Sequence, residues 1–281
     1  MKTVRTVEEL RRGVAAARGQ GAIIGFVPTM GSLHEGHLAL VDEARRHAGL
    51  VVLSIFVNPL QFGPGEDFEA YPRDEARDAE LAGARGVDLL YAPTVEEVYP
   101  KGDLAVGVVP KRLVDRLCGL SRPGHFEGVL TVVAKLFGMV QPDVAVFGQK
   151  DWQQATLIRR MATDLDMGVE VVVAPIVREE DGLALSSRNT YLSAPQRERA
   201  LSLSRGLFAA RDAFAEGVTD AERLKARVRG TMREADVEPE YIELVDPETL
   251  DPLGEAGPGA VLAIAARVGD TRLIDNLILG H

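Results

Sequence analysis

A single cysteine, Cys118, stands in a chain of 281 residues, and that scarcity excludes an internal disulfide or a thiolate metal cluster. A reducing, cytoplasmic setting is expected, with Cys118 as a small buried residue rather than a nucleophile. Lysine is nearly as scarce, six residues against 26 arginines, so a lysine inside a loop stands out. The formal net charge of −10 excludes a broad electrostatic footprint for nucleic acid or an anionic membrane, and any bound phosphate must be met by local groups. No stretch reaches membrane-spanning length without charge, and Met1 to Leu10 lack the apolar run of a signal peptide. The G-x-x-x-x-G-K-[ST] phosphate loop is also missing, which argues against γ-phosphoryl transfer of the ordinary ATPase kind.

What is present is a hydrophobic content of 46%, enough to bury a substantial core in one large or two modest domains. Short apolar runs at Ala22–Val27, Leu50–Val57, Val87–Ala92, Val144–Phe147 and Val169–Ala174 read as strands. Helical periodicity fills Leu38–His47, Asp74–Arg85, Val129–Val140 and Gln153–Leu165 between them. Near-continuous apolar strands joined by helices predict a doubly wound parallel α/β sheet of the Rossmann-like kind, covered on both faces. The glycine-rich Gly63-Pro64-Gly65 reads as a turn. After Pro175 the alternation ends. Helices at Ala194–Glu216 and Ala221–Ala235 precede strand-like runs at Tyr241–Val245, Ala260–Val268 and Thr271–Leu279, the pattern of a smaller α+β domain. The division is placed at residues 1–176 and 177–281, within a boundary zone from Pro175 to Ser193.

The first strand runs into Pro28-Thr29-Met30-Gly31-Ser32-Leu33-His34-Glu35-Gly36-His37, a His-x-Gly-His pair opening an amphipathic helix. Histidines at i and i+3 share a helical face, and a helix N-terminus aims N–H groups at an anion. In an open parallel sheet, ligands bind beyond the carboxyl ends of the strands. Polar clusters follow three further strands: Asn58 and Gln61; Gly148-Gln149-Lys150-Asp151 with Gln153 and Gln154; and Arg178, Asp181 and Ser186-Ser187-Arg188. Each has a plainer reading. Asn58 before Pro59 suits a turn, Asp151 suits a helix cap and the Ser-Ser-Arg run suits a solvated loop. One shared pocket accounts for all four placements more simply. Two imidazoles, Lys150, Arg188 and two serine hydroxyls form a donor-rich cradle without an obvious nucleophile, suited to stabilising charge on a transferring phosphoryl group. The attacking group then comes from a substrate, and attack at the α-phosphate, giving an adenylate, is the better reading.

These motifs, together with Phe56-Val57-Asn58-Pro59-Leu60-Gln61-Phe62, Tyr71-Pro72-Arg73, Arg122-Pro123-Gly124-His125-Phe126, Phe147-Gly148-Gln149-Lys150-Asp151 and Leu183-Ala184-Leu185-Ser186-Ser187-Arg188-Asn189, resemble the pantothenate synthetase (pantoate–β-alanine ligase) family. That family belongs to the cytidylyltransferase-like superfamily. The resemblance implies an ATP-dependent ligase that activates (R)-pantoate as an acyl adenylate and transfers it to β-alanine, releasing pyrophosphate and then AMP. It implies His34 and His37 at the reacting phosphate, with His37 as proton donor, and Lys150 and Arg188 as further catalytic groups. ATP contacts are implied along Met30, Gly31, Ser32, Leu33, His34, Glu35, Gly36 and His37. They continue at Gly148, Gln149, Lys150, Asp151, Val177, Leu185, Ser186, Ser187 and Arg188. Pantoate falls to Asn58, Gln61 and Gln154, and β-alanine to Gln61. Mg²⁺ accompanies the triphosphate, with Asp78 as the protein candidate for a ligand beside the alternative of a plain surface carboxylate. A cytoplasmic homodimer is implied, with no nucleic-acid or membrane partner.

Two positions depart from the family pattern, Gln149 where Glu is usual and Leu185 where Met is usual; neither removes a charge the scheme needs. A nucleotidyltransferase that keeps the nucleotide in its product shares the His-x-Gly-His, as do class I aminoacyl-tRNA synthetases. The acidic balance disfavours a tRNA surface. A nucleotide-binding module without catalysis is disfavoured by the presence together of His34, His37, Lys150 and Arg188.

Overall fold

A computed structural model describes residues 1–63, 65–66, 68–102 and 104–280. Pro64, and with it the centre of the Gly63-Pro64-Gly65 turn, lies outside the described residues. The chain divides into two compact units. The first comprises Met1–Val114, Arg122–Gly148 and Leu157–Pro175; the second takes Asp115–Ser121, Gln149–Thr156 and the chain from Ile176 onward. The main division thus falls beside Pro175, where the βαβ alternation stops. Two short stretches upstream of it, Asp115–Ser121 and Gln149–Thr156, group with the second unit.

The first unit is built on six parallel strands: β1 (Lys2–Val4), β2 (Ile24–Thr29), β3 (Leu50–Ile55), β4 (Leu89–Tyr91), β5 (Val144–Gly148) and β6 (Glu170–Ala174), in spatial order β1-β4-β3-β2-β5-β6. The order reverses between β2 and β5, the switch point at which an open α/β sheet leaves a crevice. Pro28 can stand in central β2 because β5 pairs only with Gly25 and Phe26. Beyond them no neighbour on that side asks for its missing N–H.

Helices α1 (Val7–Arg18), α2 (Glu35–His47), α3 (Glu75–Ala84), α4 (Val95–Val98) and α6 (His125–Val140) connect these strands, and α5 (Cys118–Ser121) belongs to the second unit. Val41 and Ala44 of α2 and Ala82 of α3 pack with Val27, Val51, Leu53 and Leu90 in one buried layer. Phe137 of α6 meets Phe26 edge-on, with centroids 6.4 Å apart. The elements absent from the periodicity reading include β1, α1 and the four-residue helices α4 and α5. β1 has only three residues, too short for a period-2 signal. α1 begins with a complete capping box, Thr6 and Glu9 exchanging backbone hydrogen bonds. Helix α7 (Trp152–Asp164) contributes residues to both units.

The second unit has a three-stranded antiparallel sheet, β7 (Pro239–Val245), β8 (Val261–Val268) and β9 (Thr271–Ile278), in the order β7-β8-β9. Helices α8 (Ala194–Ala215) and α9 (Ala221–Glu234) cover it through a core that includes Leu203, Leu207, Leu224, Val228, Leu262 and Ile264. Cys118, expected to be buried, is half-exposed. Its Sγ lies 3.3 Å from the Tyr241 hydroxyl and 3.6 Å from both terminal nitrogens of Arg272.

Candidate functional site

In the first unit, β2 ends at the switch point and the chain turns sharply through Met30–Leu33 into α2. Gly31 and Ser32 both take positive φ, 85° and 52°, a conformation natural to glycine and strained for serine. A Cβ on Gly31 would lie 2.9 Å from Asp78 Oδ2 and 3.0 Å from Ile55, so both the dihedral and the space require glycine. Asp78 on α3 holds the turn: its Oδ2 accepts the Ser32 N–H at 2.8 Å and its Oδ1 the Leu33 N–H at 2.7 Å. The Thr29 hydroxyl donates to the Ser54 carbonyl at 2.7 Å and accepts from Gly31 N–H at 3.2 Å.

His34 caps α2, its Nδ1 accepting the Gly36 N–H at 3.1 Å. A nitrogen that accepts cannot carry a proton, so this bond assigns the ring to the tautomer protonated at Nε2. The rings of His34 and His37 are 4.1 Å apart between centroids and tilted by 34°. The two imidazoles are therefore neighbours at the same helix N-terminus, as their spacing predicts. Glu35 faces solvent and pairs with Arg85 at 2.9 Å.

Asn58, after β3, is 1% exposed and hydrogen-bonded at both ends of its amide. Nδ2 donates to Gln61 Oε1 and to the Gly128 carbonyl, both at 3.1 Å. Oδ1 accepts from the Tyr99 hydroxyl at 2.7 Å and from Leu60 N–H at 3.3 Å. Asn58 is therefore held by four hydrogen bonds within the protein, and its reading as a turn former holds. It caps the short 3-10 turn Pro59–Gln61 and aims Gln61. Gln61 is half-buried and donates through Nε2 to Met30 Sδ at 3.1 Å, which brings the two predicted contact residues together. His125 Nδ1 lies 2.8 Å from the Gln61 carbonyl, and Arg122 is bonded to His125 at 2.9 Å and to Glu66 at 2.6 Å. Arg122 beside it holds the Glu66 carboxyl below the usual carboxylate range. Burial pushes the Tyr99 phenol well up, so it stays a neutral donor to Asn58.

Asp78 as a surface carboxylate is also corrected: it is 1% exposed. Its two oxygens are engaged by backbone N–H groups, and among the described residues no group of three His, Cys, Asp or Glu is arranged to hold a metal. These residues fit a clamp on the turn and do not fit a protein-held magnesium site.

In the second unit, Gln149–Asp151 form a 3-10 turn, with Asp151 exposed and α7 following. Gly148 is the last residue of β5 in the first unit. Gln154 lies half-buried in the first turn of α7. A hairpin, closed by the Arg178–Ala184 bridge and by Leu185 N–H donating to the Val177 carbonyl at 3.0 Å, leads into Ser186. The Ser186 hydroxyl accepts the Arg188 N–H at 3.3 Å and caps the 3-10 helix Ser187–Tyr191. Lys150, Ser186, Asn189, Leu203, Leu273 and Asp275 line one recess. Lys150 and the serine loop are thus brought together within this unit. Asp275, one of the lining residues, is buried. Burial pushes its carboxyl above the usual range, opposed by the bidentate Arg178 pair at 2.7 and 2.9 Å.

The sequence reading missed Tyr99, His125, Gly128, Asp275 and Asn276 as supports. For the last two a signal existed: adjacent polar residues inside the apolar run Thr271–Leu279 break the strand's pattern.

Residues 2–278 match the family model described as pantoate-beta-alanine ligase. Pantothenate synthetase 1 of Bradyrhizobium diazoefficiens is 54% identical, with 99% of this chain and 98% of that protein covered. The crystal structure of pantothenate synthetase from Thermus thermophilus superposes with a TM-score of 0.91 at 50% identity, covering 99% of each chain. A pantoate-beta-alanine ligase from Francisella tularensis, solved in complex with beta-gamma ATP and beta-alanine, superposes with a TM-score of 0.81 at 31% identity, covering 99% of this chain and 97% of that one.

Proposed function

The chain belongs to the pantoate–β-alanine ligase family, and from that premise we propose that it condenses (R)-pantoate with β-alanine, using ATP, to form pantothenate. A pantoate carboxylate oxygen attacks the α-phosphorus, forming the acyl–phosphate bond as the bond to pyrophosphate breaks. The β-alanine amine then attacks the acyl carbon, the amide forms with loss of a proton from nitrogen, and AMP leaves.

The observation that carries this reading is the paired imidazole at the start of α2. His34 is held as an Nε2–H donor and His37 stacks beside it, an arrangement suited to the charge that develops on a pentacovalent phosphate. His37 serves as the proton donor. Lys150 and Arg188, with the Ser186 and Ser187 hydroxyls, neutralise the phosphate oxygens, and the remaining residues of the two motif stretches contact the nucleotide. Gln61 and Gln154, with Asn58, hold the hydroxyls of pantoate, and Gln61 also borders the β-alanine site. In this proposal magnesium would accompany the triphosphate and offset its charge, and Asp78 is left to the turn it clamps. A cytoplasmic homodimer follows from the family resemblance. The single cysteine is in keeping with a reducing compartment, and no helix among the described residues is long and apolar enough to cross a membrane.

ATP–pyrophosphate exchange tests the reading: it requires pantoate, and adding β-alanine releases AMP. Exchange without any carboxylic acid, or nucleotide retained in the final product, refutes it. His37→Ala lowers kcat by about 100-fold or more with little change in ATP affinity, since a contact confined to the transition state appears in kcat. An equal loss confined to binding makes His37 a ground-state contact instead.

A further inference from the structure

The Lys150 turn takes little support from its own sequence. It is a single 3-10 turn, Gln149–Asp151, and carbonyls in so short a turn need partners from elsewhere. Asn276 on β9, 2% exposed, supplies them. Its Nδ2 donates to the Gln149 carbonyl at 2.9 Å and to the Lys150 carbonyl at 3.0 Å, while its Oδ1 accepts from Gln149 Nε2 at 3.1 Å. A side-chain amide has two N–H donors, and both are used on the turn that carries Lys150.

The preceding residue anchors the other half of the cradle. Consecutive strand residues point to opposite faces, and Asp275 takes Arg178 in a bidentate pair. Arg178 also donates to the Gly182 carbonyl at 3.1 Å and bridges to Ala184, fixing the hairpin that runs into Ser186. One dipeptide on β9 thus ties down both segments that border the recess, and neither side chain needs to reach a ligand to do so.

We propose that Asn276 is a positioning residue for Lys150, acting through the Gln149 and Lys150 carbonyls to hold the lysine ammonium where phosphate charge develops. The inference rests on the role given to Lys150 in the proposed ligase reaction. It also gives meaning to Gln149, where the family pattern usually has Glu: the amide donates to Asn276 Oδ1, a bond a carboxylate cannot make.

The test is a double-mutant cycle on pantoate-dependent ATP–pyrophosphate exchange in the full-length protein. Asn276→Ala is expected to lower kcat by about 10- to 100-fold, the cost of misplacing a reacting group by roughly 1 Å, with KM for pantoate within about threefold of wild type. In a Lys150→Ala background the same substitution is expected to have almost no further effect on kcat, because groups that act as a unit are not additive. Asn276→Asp has the same shape but lacks the two donors. It is expected to lose as much and to keep the fold by circular dichroism, which carries the test if the alanine variant does not fold. Unchanged kcat in the aspartate variant, or losses that multiply in the Lys150→Ala background, overturns the positioning role. Absence of exchange in the wild-type protein instead overturns the ligase reading, so the two failures are told apart.

Discussion

Replacing Asp78 by asparagine separates two roles for a carboxylate that the sequence alone leaves open. In the structure Asp78 is 1% exposed and accepts two short hydrogen bonds, from Ser32 N–H at 2.8 Å and Leu33 N–H at 2.7 Å. Hydrogen bonds to a charged group contribute roughly 1.5–3 kcal/mol each, and those two hold Gly31 and Ser32 at positive φ. Asparagine has the same shape but one acceptor oxygen, so one bond is lost and an amide N–H₂ faces a backbone N–H. The expected loss is about 2–3 kcal/mol in Asp78→Asn and about 3–5 kcal/mol in Asp78→Ala, where both donors are left buried and unpaired. Urea unfolding of the full chain measures it. The same variants lower kcat, because His34 and His37 follow the turn directly, while the magnesium concentration for half-maximal exchange stays at the wild-type value. Unfolding at wild-type urea together with a tenfold or larger rise in that magnesium requirement makes Asp78 a metal ligand and refutes the clamp.

Gly128→Ala places a Cβ against the Leu60 carbonyl oxygen and 2.8 Å from Gln61 Cα. Overpacking of this kind costs about 1–3 kcal/mol, and here it displaces the turn that aims Gln61, so the thermal unfolding midpoint falls as KM for pantoate rises; a change in neither refutes the packing argument. Glu66 titrates below its ordinary value because Arg122 hydrogen-bonds its carboxylate. A depressed carboxyl contributes stability that is present above its unfolded pKa and is lost as pH falls through its folded pKa. Glu66→Gln is therefore expected to flatten the acid limb of stability below about pH 4.5, read by urea midpoints between about pH 6 and pH 3; parallel limbs in the two proteins remove Glu66 from the account.

Most of the first unit was legible because its strands are buried on both faces and its helices carry one apolar stripe, patterns that a period count detects. The His-x-Gly-His turn was legible for a different reason: glycine at Gly31 and imidazoles at His34 and His37 are local requirements, written within one short stretch of chain. What escaped are groups whose role depends on distant partners. Tyr99 reads as an ordinary aromatic until its hydroxyl is found on Asn58, 41 residues earlier. Asp78 reads as one more acid on an acidic helix, since its partners at Ser32 and Leu33 lie 46 and 45 residues upstream. The Asp115–Ser121 stretch was missed as part of the second unit because its ties run to residues far along the chain: Arg116 pairs with Asp251 and Cys118 meets Tyr241.

These distant groups share a physical logic. A loop that presents reactive side chains at a sheet edge leaves backbone groups without helix or strand partners, and burying them unpaired is costly. Asp78 answers the N–H groups of Ser32 and Leu33, and Asn276 answers the carbonyls of Gln149 and Lys150. Neither support touches the His37 or Lys150 side chain: Asp78 bonds to backbone, and Asn276 bonds to the turn's carbonyls and to the Gln149 amide. Changing His37 or Lys150 therefore leaves the support in place and alters the chemistry alone, lowering kcat at near-constant stability. Changing Asp78 or Asn276 leaves the reactive groups chemically intact but displaced, and lowers kcat and stability together. A chain in which all four substitutions moved activity and stability in the same proportion would have no such division between chemistry and placement.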